Sequence, residues 1–83
     1  MKERIKEIIQ ASKGKIGTYT ILSKAGEERM LKNGWRLRIK NHSFEKDEEL
    51  VKRLLEAGYT KIKLYDSTTA IRGLYDTFAM VKK

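Results

Sequence analysis

The most regular stretch of the chain is Trp35-Arg36-Leu37-Arg38-Ile39-Lys40, in which apolar and basic residues alternate without exception. Successive side chains of a strand point to opposite faces, so this spacing predicts a strand with Trp35, Leu37 and Ile39 toward the core and Arg36, Arg38 and Lys40 toward solvent. Thr60 to Tyr65 repeats the pattern, with Ile62 and Leu64 inward and Lys61, Lys63 and Tyr65 outward. Thr77 to Val81 is apolar on both faces and is expected at the centre of the sheet. A further strand is expected over Ile16 to Ser23, with Tyr19 and Ile21 on one side and Thr18, Thr20 and Leu22 on the other.

Helical spacing occurs twice. Ile5, Ile8, Ile9 and Ser12 fall on one face of a helix over residues 2–13, which Gly14 ends. A second helix is expected from an N-cap at Ser43 to about Ala57, with Leu50, Val51, Leu54 and Leu55 as its buried stripe and Gly58 as its terminator. Phe44 is expected to fold back onto that stripe. Lys24 to Glu27 reads as a turn, Glu28 to Lys32 as a returning strand or a turn of helix, and Asn33-Gly34 as a pair tolerant of positive φ. Asp66 to Thr69 is turn-prone, and Ala70 to Tyr75 is ambiguous.

The element order is α-β-(β)-β-α-β-β within one domain spanning residues 1–83. Each amphipathic helix needs a sheet face to cover. The expected fold is therefore α+β: a two-layer sandwich with two helices on one face of a mainly antiparallel sheet of four or five strands. Without a strand at Glu28 to Lys32, the order equals a ferredoxin-like array with its first strand moved to the end.

Composition narrows the classes. Cysteine is absent, which excludes disulfides, thiolate metal sites and a cysteine nucleophile. The charged N-terminus is expected not to act as a signal peptide, no segment has the apolar length of a membrane span, and a cytoplasmic setting without membrane association is expected. Nineteen basic against eleven acidic residues give a net charge of +8, which favours polyanionic partners. The charge is uneven: Glu45 to Ala57 holds five acids and three bases, so the other seventy residues carry an excess of ten positive charges.

With both helices on one face, the other would display Arg36, Arg38, Lys40, Lys61, Lys63 and Tyr65. Cations can neutralise successive phosphates and a tyrosine can stack on a base, as single-strand binders require. Solvation of an open antiparallel face is the competing explanation of the same pattern. Lys13 and Lys15 flank a helix end and extend the basic surface; the segment Ser12 to Thr18 closes a helix instead of opening one, so no phosphate loop is expected. Arg72, beside Gly73, completes the candidate set. His42 is the only histidine, and the acids at the start of the second helix suit its dipole better than a catalytic pair. No catalytic residue, metal ligand or cofactor is assigned. The expected function is a non-enzymatic module binding RNA or single-stranded DNA. A protein-interaction or inhibitory module, pairing with an acidic protein or with itself as a homodimer, is the alternative, and a histidine-independent nuclease is a third reading.

Overall fold

A computed structural model describes residues 2–12, 22–42, 44–66 and 77–83. Among these residues the chain forms α1 (Lys2–Ser12), α2 (Lys24–Lys32), β1 (Arg36–Ile39), α3 (Asp47–Glu56), β2 (Lys61–Asp66) and β3 (Thr77–Lys82). The fold class is α+β. The sheet has the order β1-β3-β2, with β3 antiparallel to both neighbours, so the strand that is apolar on both faces is the central one. It follows that β1 and β2 run parallel to each other, joined through α3 with β3 inserted between them, which is a split β-α-β unit.

Register decides which side chains share a face, because residues directly opposite in an antiparallel pair project the same way. Val81 lies opposite Arg36 on one side and Ile62 on the other, and Ala79 lies opposite Arg38 and Leu64. Met80 lies opposite Leu37 and Lys63, and Phe78 opposite Ile39 and Tyr65. On the first face Ile62, Leu64, Ala79 and Val81 pack with Ile5 and Ile8 of α1 and with Leu50, Val51 and Leu54 of α3 in one core. Ser12 anchors α1 there: its hydroxyl donates to the Ile8 carbonyl at 2.9 Å and accepts the Leu64 N–H at 2.8 Å.

The second face is also covered, since Met80 and Phe78 are buried on it. Part of the cover is α2, which packs against β1 and whose Met30 sulfur accepts a hydrogen bond from the Tyr65 hydroxyl at 3.8 Å. The two expected helices, α1 and α3, do share one side of the sheet, and the correction is a third helix, α2, on the other side. The cause is β3, whose two apolar faces both need shelter.

Lys24 to Lys32 is a helix throughout, so the helical alternative holds for Glu28 to Lys32 and the turn expected at Lys24 to Glu27 is part of the same helix. Ser23, expected to end a strand, is its N-cap and accepts the Gly26 N–H at 3.0 Å. At the far end Gly34, at φ +93°, turns the chain into β1 as expected, whereas Asn33 stays at negative φ. Helix α3 starts after Lys46, three residues later than a Ser43 cap requires, because Glu45 is drawn out of the helix into a buried cluster. Phe44 does not fold onto the helix: it is 87% exposed. Gly58, at φ +97°, ends α3 as expected. Most of the strand expected at Ile16 to Ser23 lies outside the described residues, as do Ser43 and residues 67–76.

Candidate nucleic-acid interface

The alternation in β1 holds, with Arg36 and Arg38 exposed and Trp35 and Leu37 half-buried, but the apolar side of β1 meets the α2 side of the sheet, Ile39 is exposed and Lys40 is buried. Arg36 and Arg38 share a sheet face with the α1–α3 core, while Lys61, Lys63 and Tyr65 project from the other. A single face carrying all six expected residues is thus ruled out. Arg36 and Arg38 nevertheless stay exposed, because β1 is an edge strand and the core on that face is built on β2 and β3.

Lys40 is not available to a ligand. Its side chain is 7% exposed and its ammonium lies 2.8 Å from the Asp47 carboxylate at the start of α3. Tyr65 is committed too, with its ring stacked on Phe78 at 5.7 Å between centroids and its hydroxyl on Met30. Burial pushes the Tyr65 hydroxyl above its ordinary pKa. Lys13, Lys15 and Arg72 lie outside the described residues.

A different constellation forms at the end of the sheet where β1 and β2 begin and β3 finishes. Gly58 releases the chain from α3, and the next residue, Tyr59, packs half-buried against the core with its ring toward β1. Arg38 donates to the Tyr59 hydroxyl at 3.0 Å, and its guanidinium carbon lies 5.7 Å from the ring centroid. The Lys83 ammonium lies 5.5 Å from the same centroid. With Gly34, Arg36 and Lys82 these residues line a concavity of about 420 Å³. Arg38 also donates to the Leu37 carbonyl at 2.8 Å and Arg36 to the Trp35 carbonyl at 3.1 Å, so both guanidinium groups are held by neutral partners. Among the described residues no ion pair joins Arg36, Arg38, Lys82 or Lys83 to a carboxylate.

On the other face the Lys63 ammonium sits 5.4 Å from the centroid of the Trp35 ring. Lys61 is exposed and directly opposite Lys82. Arg4 of α1 reaches the same end of the sheet and donates to the Thr60 carbonyl. The basic residues are therefore gathered at one end of the sheet, around its edge.

The opposite end is organised by Glu45, which is 6% exposed. Its carboxylate accepts the Asn41 N–H at 2.9 Å and two Arg53 N–H groups at 3.2 and 3.0 Å, and Arg53 also donates to the Ile39 carbonyl at 3.1 Å. Burial pushes the Glu45 carboxyl up, but Arg53, the Asn41 N–H and the nearby His42 together outweigh it and hold the pKa below its ordinary value. His42 accepts the Phe44 N–H on Nδ1 at 3.1 Å, a turn role.

Sequence reading missed Tyr59, Lys82 and Lys83 as site residues. One local signal was present for Tyr59: it follows a helix-terminating glycine and precedes a strand, so it must leave the helix where the sheet begins. Among the described residues no three histidine, aspartate or glutamate side chains converge to hold a metal ion, and no helix is long and apolar enough to cross a membrane. Comparison with protein families, curated proteins and solved structures finds no match for this chain.

Proposed function

We propose that this chain is a small, non-enzymatic module that binds single-stranded nucleic acid, RNA or DNA, at the basic end of its sheet. The observation that carries the reading is the Tyr59 ring with Arg38 and Lys83 against it and with Arg36 and Lys82 lining the same concavity. Cations that a protein keeps for its own stability sit against carboxylates, as Lys40 and Arg53 do. Arg36, Arg38 and Lys83 are instead aligned by carbonyls and an aromatic ring, which orient positive charge without neutralising it. Phosphate groups satisfy that charge, and affinity then follows counterion release.

Binding of a short labelled oligonucleotide tests the reading. If about four phosphates of a single strand are neutralised, affinity falls about fiftyfold between roughly 50 and 200 mM salt. The double variant Arg36→Ala and Arg38→Ala is expected to weaken binding and to reduce the logarithmic salt slope by about 1.4, or about 0.7 for each lost contact. Absence of binding to both RNA and DNA at low salt overturns the proposal.

A protein-interaction module, the second reading, is favoured by Phe44, a large apolar side chain left 87% exposed on a hydrogen-bonded turn. Light scattering decides it. A mass that rises with concentration and returns to the monomer value in Phe44→Ser supports self-association, and a constant monomer mass argues against it.

A further inference from the structure

Trp35 lies one residue before Arg36, so the alternation that turns Arg36 toward Tyr59 turns Trp35 to the other face of the sheet. Its ring is half-buried and has the Lys63 ammonium 5.4 Å from its centroid. It contributes to a second concavity, about 550 Å³, that curves around the free side of β2 and is also lined by Arg4, Thr60, Lys61 and Lys63. Its lining combines the Trp35 and Tyr65 side chains with three cations and one acid, Glu7, which lies 3.9 Å from Arg4 and leaves Lys61 and Lys63 as the cations on this side without a carboxylate partner among the described residues.

The two concavities are continuous along the chain. Tyr59 lines the first, Thr60 and Lys61 line the second, and Tyr59 and Lys61 are about 7 Å apart along an extended backbone. Arg4 holds the Thr60 carbonyl from one side, and the Thr60 N–H donates to the Lys82 carbonyl at 3.2 Å from the other, so the bridge between the sites is fixed. Each site offers one aromatic ring with at least one cation against it, and the two lie on opposite faces of the sheet.

We propose that Trp35 and Lys63 form a second contact point for the same ligand, and that one nucleic-acid strand passes from Tyr59 over Thr60 and Lys61 to Trp35. This rests on the function proposed above and makes it more specific. A strand that follows this path must bend around the end of the sheet and present a base to each ring. A flexible single strand can do so, because its bases are unstacked and every base has a face to offer an aromatic side chain. A duplex keeps its bases paired inside a stiff rod and can lie along only one of the two faces.

Trp35 is the only tryptophan, so its emission reports on this site alone. The folded chain is titrated with a ten-nucleotide single strand, as RNA and as DNA, and with the matched duplex, while tryptophan emission and fluorescence anisotropy of a labelled oligonucleotide are read together. Both single strands are expected to quench the emission at the concentrations that raise the anisotropy, and the duplex is expected to bind more weakly without quenching. Trp35→Ala should weaken single-strand binding by about tenfold, whereas Trp35→Phe should retain most of it because a stacking face remains. Should Trp35→Ala lose its circular dichroism signature, Lys63→Ala serves in its place, with an expected loss of affinity and a smaller salt slope. Rising anisotropy with unchanged emission, equal affinity for duplex, or Trp35→Ala and Lys63→Ala variants that bind like the parent would overturn the two-site path and leave the Tyr59 site standing. Absence of any anisotropy change would overturn both.

Discussion

Arg38 lies within β1 and Lys40 just past its end, two residues apart, and their surroundings divide their roles. Arg38 is exposed beside an aromatic ring, whereas Lys40 is buried against Asp47. An ammonium without its carboxylate in a buried position is costly, so Asp47→Ala is expected to lower stability by about 3 kcal/mol in urea denaturation. Lys40→Met keeps the aliphatic stem and removes the charge; it is expected to leave oligonucleotide affinity within about twofold of the parent, unlike Arg38→Ala. Glu45 sets the acid limit. Because its pKa is lowered on folding, its contribution is complete above the ordinary carboxylate value and is lost as pH falls through the lower folded value. Glu45→Gln should therefore reduce stability at neutral pH by about 1–3 kcal/mol and flatten the loss of melting temperature on acidification.

Among the elements, β1 and α2 show what the sequence contains and where it stops. The alternation from Trp35 to Lys40 was sufficient to identify a strand, because period two is a local property of the chain. Which side of that strand meets the core is not local: it follows from the pairing of Arg36 with Val81 and from the reach of α1 and α3, neither of which the strand encodes. Hence Ile39, expected inside, is 41% exposed, and the basic residues of β1 and β2 end on opposite faces. Helix α2 was hidden for a related reason. Its apolar residues Met30 and Leu31 make too short a stripe for a helical period, and the deciding features are the Ser23 cap and the contact of Met30 with Tyr65 across the sheet. Ser23→Ala is accordingly expected to cost about 1 kcal/mol, read as a lower melting temperature. The glycines that end α2 and α3 were legible, since positive φ leaves few residue choices. Gly58→Ala, with open space around the added carbon, isolates the backbone strain at φ +97° and should cost about 1 kcal/mol.

Across the whole molecule the charge is arranged along the sheet's length. Asp47, Glu48 and Glu49 stand at the start of α3, and the Tyr59 cluster follows its end, about 15 Å away for a ten-residue helix. That separation keeps these three acids away from the basic end, where Glu7, paired with Arg4, is the carboxylate that lines the second concavity. The sheet itself is completed in an order that the chain cannot follow stepwise. Both β1 and β2 hydrogen-bond to β3, which comes after them in the sequence, and they do not pair with each other. During synthesis, β1 and β2 therefore have no ladder to join among the described residues until Thr77 to Lys82 arrives, and their apolar side chains wait for it. Closure of this sheet is bound to the synthesis of β3, and dependence on chaperones should be concentrated in the interval before that strand emerges.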